Sequence, residues 1–485
     1  MERAHPTFLW HDYETFGRSP QRDRPAQFAA LRTDGELREI GEPSMWYCRP
    51  APDYLPDPES VLLTGILPQR AAADGLVEAE FAARIEALLA TPGTIGVGYN
   101  SIRFDDEFTR FLFWRNLIDP YGREWQNGCC RWDLLDTVRC AWALRPEGIE
   151  WPLHPDGRPS FRLEDLSAAN GLAHADAHDA LADVRATLAL ARLVRERQPR
   201  LWAFCLGLRR KDAVAAEIGV GRPFVHLSGR YPAERGFLAI VWPLAPHPTN
   251  RNELIVWDLA QDPSELATLD AATVRLRLYT PQAELPAGVE RLPIKTVHLN
   301  RSPVVIGNLR TLGSATARFG IDLARVQANA LRARELGRTL DPLWREVYAR
   351  PPRSEPPDVD EDLYGGFVGD ADRRRLAQLR ALPPEALAAR RVAFDDDRLE
   401  ELLFRYRARN FSATLDDAER GRWLRHCRAR LVDGAAGALT LAAYFERIDA
   451  LALAADSAAQ GRGDARAQAL LEALYDYAEA IAPEA

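Results

Sequence analysis

The sequence predicts an α/β domain, then a small β domain, then an all-helical one. Three observations carry this expectation. Strand-like apolar runs alternate with helical periodicity up to about residue 197; strand-like runs dominate from about 200; and beyond a proline-rich stretch near 350 almost every segment has helical spacing. At 485 residues the chain exceeds one ordinary core, which makes two or three domains the expectation.

The elements follow in order. Thr7–Trp10 is a short apolar strand and Gln27–Arg32 a second. Glu78–Ala90 is helical, with Phe81, Ile85 and Leu88 on one face. Thr94–Tyr99 is a further strand, followed by a turn at Asn100-Ser101 and a helix opening near Asp105. A long Ala/Leu/Arg helix runs from Asp179 to Arg197 and stops at Gln198-Pro199. In the middle region Phe237–Trp242, Leu254–Trp257, Val274–Tyr279 and Ile294–Leu299 read as strands of a small barrel or sandwich, with helical material around 321 to 349. Arg350–Asp358 is rich in proline and acid and reads as a linker. Helices are predicted beyond it at 372–382, 396–407, 416–431, 439–455 and 464–481. The resulting division is 1–197, 198–350 and 358–485.

Composition sets limits rather than identities. The chain is 47% hydrophobic and 27% charged, as globular proteins are. No run of about 18 apolar residues occurs, which excludes a helical membrane span, and the apolar stretch at the N-terminus is too short for a signal peptide. The six cysteines form no C-x-x-C pair, so free thiols in a reducing cytoplasm are expected, without a zinc site. A net charge of −8 argues at face value against a nucleic-acid binder, although local arginines can still grip phosphates. Of the 62 basic residues only Lys211 and Lys295 are lysine, and the bland source of this arginine excess is a GC-rich genome.

Three short constellations carry chemistry. Asp12 and Glu14 are two residues apart at the end of the first strand, so both side chains point to one face. Carboxylates forced together repel unless a cation lies between them, and an all-oxygen site favours Mg²⁺ or Mn²⁺. Asp105 stands at a strand–turn–helix junction, the end of an open α/β sheet where sites are built; its neighbour Asp106 reads as a solvated first-turn acid. In the segment His174–Asp183, Asp176 is placed to cap a helix, with His178 in its first turn and Asp183 in its second. A histidine side chain ordinarily titrates near neutrality, so His178 could take a proton from an attacking water. Taken singly, each has a plainer structural reading: a solvated strand end, or a histidine serving only packing.

In order and type, D-x-E, N-x-x-x-F-D and H-x-x-x-x-D resemble the three motifs of the DEDD proofreading-exonuclease superfamily in its histidine branch. HDYETFG, DRPAQFAALRTD, YNSIRFDDE, RWDLLD, ALRPEGI, AHDALADV, LYGGF and FRYRARNF are similar to the bacterial exonuclease I family over almost the whole length. The resemblance implies an α/β RNase H-like exonuclease domain, an SH3-like β-barrel domain and an α-helical C-terminal domain. It implies Mg²⁺-dependent 3′→5′ removal of 5′-mononucleotides from single-stranded DNA, in DNA repair, by a cytoplasmic monomer. Asp12, Glu14, Asp105 and Asp183 match the acids that hold two Mg²⁺ ions, for which Mn²⁺ can substitute, and His178 matches the general base. Arg162, Arg110, Tyr121, Trp125 and Arg139, with Glu14 itself, match substrate-contacting positions. Arginines would hold phosphates while rings stack on bases. Tyr364–Phe367 and Arg405–Phe411 interleave rings and bases and read as further DNA contacts.

The family also binds the acidic, Phe-ended tail of single-stranded DNA-binding protein. Arg145 matches a position implicated there. Phe204 stands where a tyrosine is usual, and Gly307–Leu312 lacks the family's polar residues. Two rival readings remain: an RNA exonuclease of the same superfamily, against which the two extra domains argue, and a non-catalytic DNA binder, against which five filled catalytic positions argue.

Overall fold

The computed structural model describes residues 6–173, 179–349, 357–458 and 464–483. They form two compact units: one comprises Met1–Cys130, Ala175–Arg185 and Ser354–Ala485, the other Arg131–His174 and Ala186–Arg353.

In the first unit, strand β1 (Thr7–Thr15) lies between β2 (Pro25–Thr33), antiparallel to it, and β4 (Thr94–Gly98), parallel to it; β3 (Ser44–Tyr47) pairs with β2. The sheet order is β3-β2-β1-β4-β5, with β5 (Cys130–Asp133) the strand on which the chain leaves this unit. β1 is longer than the predicted Thr7–Trp10, so Asp12 and Glu14 lie within the strand rather than at its tip. Leu9 and Tyr13 face Phe28, Phe81, Ile85, Leu112 and Phe113, which packs helices Glu78–Leu89 and Asp105–Arg115 over one side of the sheet. The period of two then turns Asp12 and Glu14 away from that core.

The C-terminal helices share two further cores within this unit. Phe16, Tyr54 and Val61 pack with Tyr444, Ile448, Leu471 and Leu474, while Phe111 and Trp114 pack with Leu363, Leu376, Leu399 and Leu402. Helix Asp417–Leu431 opens on a capping box between Asp416 and Glu419, which satisfies two backbone N–H groups reciprocally.

The segment predicted to bring arginines to DNA behaves differently. Arg409, 2% exposed, pairs with Asp53 at 2.7 Å and with Asp360; Arg405 reaches Asp358 at 2.6 Å and Asp360 at 3.3 Å; Arg407 reaches Glu419 at 2.7 Å. These three guanidiniums serve an internal charge network. Desolvation pulls the other way, yet Arg409 leads the neighbours that hold the Asp53 and Asp360 carboxyls below the ordinary range.

The second unit contains an antiparallel sheet in the order β10-β6-β7-β8-β9: β6 (Phe224–Leu227), β7 (Leu238–Pro246), β8 (Glu253–Asp258), β9 (Ile294–His298) and β10 (Val304–Ile306). Its core is Phe224, Val241, Val256, Val297 and Val305. Val274–Tyr279 is not the predicted strand; Ala271–Tyr279 is a helix. The side chain of Asp270 accepts from Thr273 N and caps it, only Val274 of the segment is buried, and Leu276 is 46% exposed. The apparent alternation therefore reflects no two-faced strand. Among the described residues no helix is long and apolar enough to cross a membrane.

Candidate active site

β1 carries Asp12 and Glu14 on one face, and the register with β2 sets Glu14 opposite Gln27. The Gln27 side-chain oxygen accepts from Ala180 N at 3.1 Å, which docks the start of helix Ala180–Arg197 beside Glu14. The side chain of Asp179 caps that helix, accepting from Leu181 N at 3.2 Å and Ala182 N at 3.1 Å. Asp183 thus falls in the first turn. Asp176 and His178 lie outside the described residues.

Carboxylate oxygens of Asp12, Glu14 and Asp183 lie within 4.8 Å of one another. Asp105, 3% exposed, opens helix Asp105–Arg115 and its Oδ1 accepts from Tyr13 N at 3.1 Å. The backbone between the two β1 acids therefore holds the fourth. Burial, then the negative charges of Asp105, Glu14 and Asp183, pushes the Asp12 carboxyl well up; burial, then Asp183 and Asp105, raises Glu14 to about 9. Such a cluster is poised for cations: a divalent ion would compensate the repulsion, and hard oxygen donors fit Mg²⁺ or Mn²⁺. Asp106 is not the solvated acid the sequence predicts. It is 2% exposed and paired with buried Arg123 at 2.5 Å, a partner 17 residues on that no local pattern reveals.

The predicted substrate residues differ in what they offer. Trp125 is 68% exposed, a ring free for stacking. Tyr121 is half-buried, with Phe367 at 5.6 Å between ring centroids and the Arg110 guanidinium 5.2 Å from its ring. Arg110 is buried and committed: its fork donates to both Glu124 oxygens at 2.7 and 2.9 Å and to Glu107 at 2.9 Å, and it reaches the Tyr364 hydroxyl at 3.1 Å. It braces rings rather than presenting an open phosphate donor. Phe367 is 84% exposed. In the second unit Arg162 stands in solvent before helix Leu163–Ala169, while Arg139 pairs with Asp136 at 2.7 Å between the rings of Phe161 and Phe237. Arg145 is exposed and donates to Thr311 O at 3.3 Å; Phe204 is half-buried against the core of the antiparallel sheet.

Three family models match the chain consecutively: an exonuclease domain over residues 9–191, the exonuclease I SH3-like domain over 209–350 and the exonuclease I C-terminal domain over 357–481. Exodeoxyribonuclease I of Escherichia coli (strain K12) is 48% identical over 483 residues, covering 98% of each chain. The chain belongs to the exonuclease I family. Exonuclease I from Methylocaldum szegediense superposes with a TM-score of 0.92 at 49% identity, covering 98% of this chain and 99% of that one. E. coli exonuclease I in complex with a dA16 oligonucleotide gives 0.90 at 46%, covering 98% and 100%. A structure of SSB/exonuclease I in complex with the inhibitor CFAM gives 0.89 at 46%, covering 99% and 100%. The exonuclease I architecture accounts for the order seen here: an α/β domain, a curled antiparallel sheet and a helical C-terminus.

Proposed function

We propose that this chain is a Mg²⁺-dependent 3′→5′ exodeoxyribonuclease that shortens single-stranded DNA to 5′-mononucleotides. The observation that carries the reading is the convergence of Asp12, Glu14 and Asp183 within 4.8 Å, with Asp105 held beside them by Tyr13 N. Full-length similarity to exodeoxyribonuclease I, and a relative solved with an oligonucleotide, support DNA as the polymer.

Asp12, Glu14, Asp105 and Asp183 are the residues that would hold two divalent ions. Divalent ions held there would supply a lowered pKa for the attacking water and positive charge against the phosphate and the departing 3′ oxygen. Asp12 and Glu14 project from a rigid strand and Asp183 from a capped helix, so the donors are set before the metal arrives. His178 takes the proton from the attacking water. Trp125, Tyr121 and Phe367 offer rings to successive bases, and Arg162 and Arg139 supply positive charge to the backbone, a mode indifferent to sequence. Arg145 and Phe204 take the acidic tail of single-stranded DNA-binding protein, a partner supported by the relative solved as an SSB complex.

The test is degradation of matched single-stranded DNA, single-stranded RNA and duplex DNA, each with Mg²⁺ and with chelator. Rapid metal-dependent loss of the DNA single strand alone is expected. Equal turnover of the RNA would overturn the substrate assignment.

A further inference from the structure

Asp105 and Asp106 are adjacent and chemically identical, yet only one can face the β1 carboxylates. Helix Asp105–Arg115 has no capping side chain, because Phe104 occupies the cap position. Its first turn is held partly by its own Thr109 and partly from neighbouring elements. Tyr13 N grips Asp105 Oδ1 at 3.1 Å, and Thr109 Oγ1 donates to the Asp105 carbonyl at 2.8 Å and lies 3.1 Å from the Tyr13 hydroxyl. On the other side Arg123 pairs with Asp106 at 2.5 Å, both side chains 2% exposed. The Arg123 guanidinium also lies close to β4, where a Cβ on Gly96 would come within 3.5 Å of its Nη1 and 3.6 Å of His11 Nε2. The same short turn, Gly122–Glu124, holds the next turn of the helix through Glu124 and Arg110. Successive helical residues are rotated by about 100°, so a slip of one residue would exchange the two aspartates.

We infer that Arg123 is a positioning residue for the nuclease: by anchoring Asp106 in the interior it sets the rotation of the first turn, so that Asp105 and not its neighbour faces Asp12 and Glu14. This rests on the reading of Asp105 as a metal-holding acid, and the experiment separates the two. Mn²⁺ binding to the full-length chain is measured by titration calorimetry for the wild type, Arg123→Gln, Arg123→Lys, Asp106→Asn and Asp105→Asn, with far-UV dichroism to confirm folding and KM for an oligonucleotide measured alongside. Arg123→Gln is expected to weaken Mn²⁺ binding roughly 10- to 100-fold, the usual effect of losing a residue that orients a ligand. KM for the strand is expected to stay at the wild-type value, since the Arg123 side chain is only 2% exposed and is committed to Asp106. Arg123→Lys restores most of the affinity because its ammonium still reaches Asp106. Asp106→Asn shifts the affinity the same way and decides the matter should Arg123→Gln not fold. Wild-type Mn²⁺ affinity in Asp106→Asn or in folded Arg123→Gln, with Asp105→Asn impaired, overturns the inference and leaves the site intact. Lysine no better than glutamine also overturns it. Wild-type affinity in Asp105→Asn overturns the reading of the site itself.

Discussion

Asp12 and Glu14 show how a single residue's environment carries the account. Burial, then the neighbouring acids, pushes the Asp12 carboxyl well up and raises Glu14 to about 9 in the metal-free protein. An unfolded chain releases the Glu14 proton near pH 4.5, so between there and about pH 9 the folded state holds it more tightly, and Glu14 costs stability as pH rises; Asp12 acts in the same direction. A divalent ion removes that cost. The rise in Tm on adding Mn²⁺ should therefore grow from about pH 6 to about pH 8.5; a rise that is flat or shrinks over that range would contradict the cluster's role. Asp12→Asn and Asp183→Asn should abolish hydrolysis while leaving metal-free binding of a single strand intact, as read by anisotropy, and substantial Mg²⁺-dependent turnover in either would count against the assignment. The pairing of Asp12 with Glu14 was legible because a strand's period of two is local. Asp106 was not, because its partner Arg123 arrives through the fold.

At the scale of elements the same divide recurs. Helices Glu78–Leu89 and Asp105–Arg115 were legible from periodicity and from an acidic start. Val274–Tyr279 was misread because V-R-L-R-L-Y alternates, while the outcome turned on Asp270, four residues upstream of Val274. Asp270→Ala should destabilise by about 1 kcal/mol, the usual worth of such a cap; no loss in urea unfolding would mean that tertiary packing alone holds the helix. Arg405, Arg407 and Arg409 resembled DNA contacts because the sequence cannot show that Asp53, Asp358, Asp360 and Glu419 converge on them. Arg409→Met leaves two buried aspartates without their main cation and should cost about 3–5 kcal/mol. The folded-state pKa values of Asp53 and Asp360 are depressed, so their contribution is present above the ordinary carboxylate range and disappears as pH falls below it. The gap between wild type and Arg409→Met should accordingly narrow in acid.

For the whole molecule, a chain of net charge −8 must hold a polyanion through local features. If Arg162 meets a phosphate, Arg162→Ala should flatten the dependence of log affinity on log salt by about 0.7, one single-strand contact. Trp125→Ala should weaken binding by roughly 1–3 kcal/mol with the slope unchanged, because stacking releases no counterions. The three-part order of the chain was legible in the change from mixed to strand-like to helical spacing and in the proline-rich stretch near 350, whereas its division into two compact units was not, since segments far apart in sequence join the N-terminal strands only in three dimensions. The proposed reaction removes nucleotides from the 3′ end by metal-dependent hydrolysis. Its most direct measurement is a time course on one single-stranded oligonucleotide labelled at either end, with Mg²⁺ and with chelator. Immediate release of labelled mononucleotide from the 3′-labelled strand is expected, with a ladder shortening toward the 5′ label on the other, and neither with chelator. Early release of the 5′ label, or cleavage that persists in chelator, would contradict it.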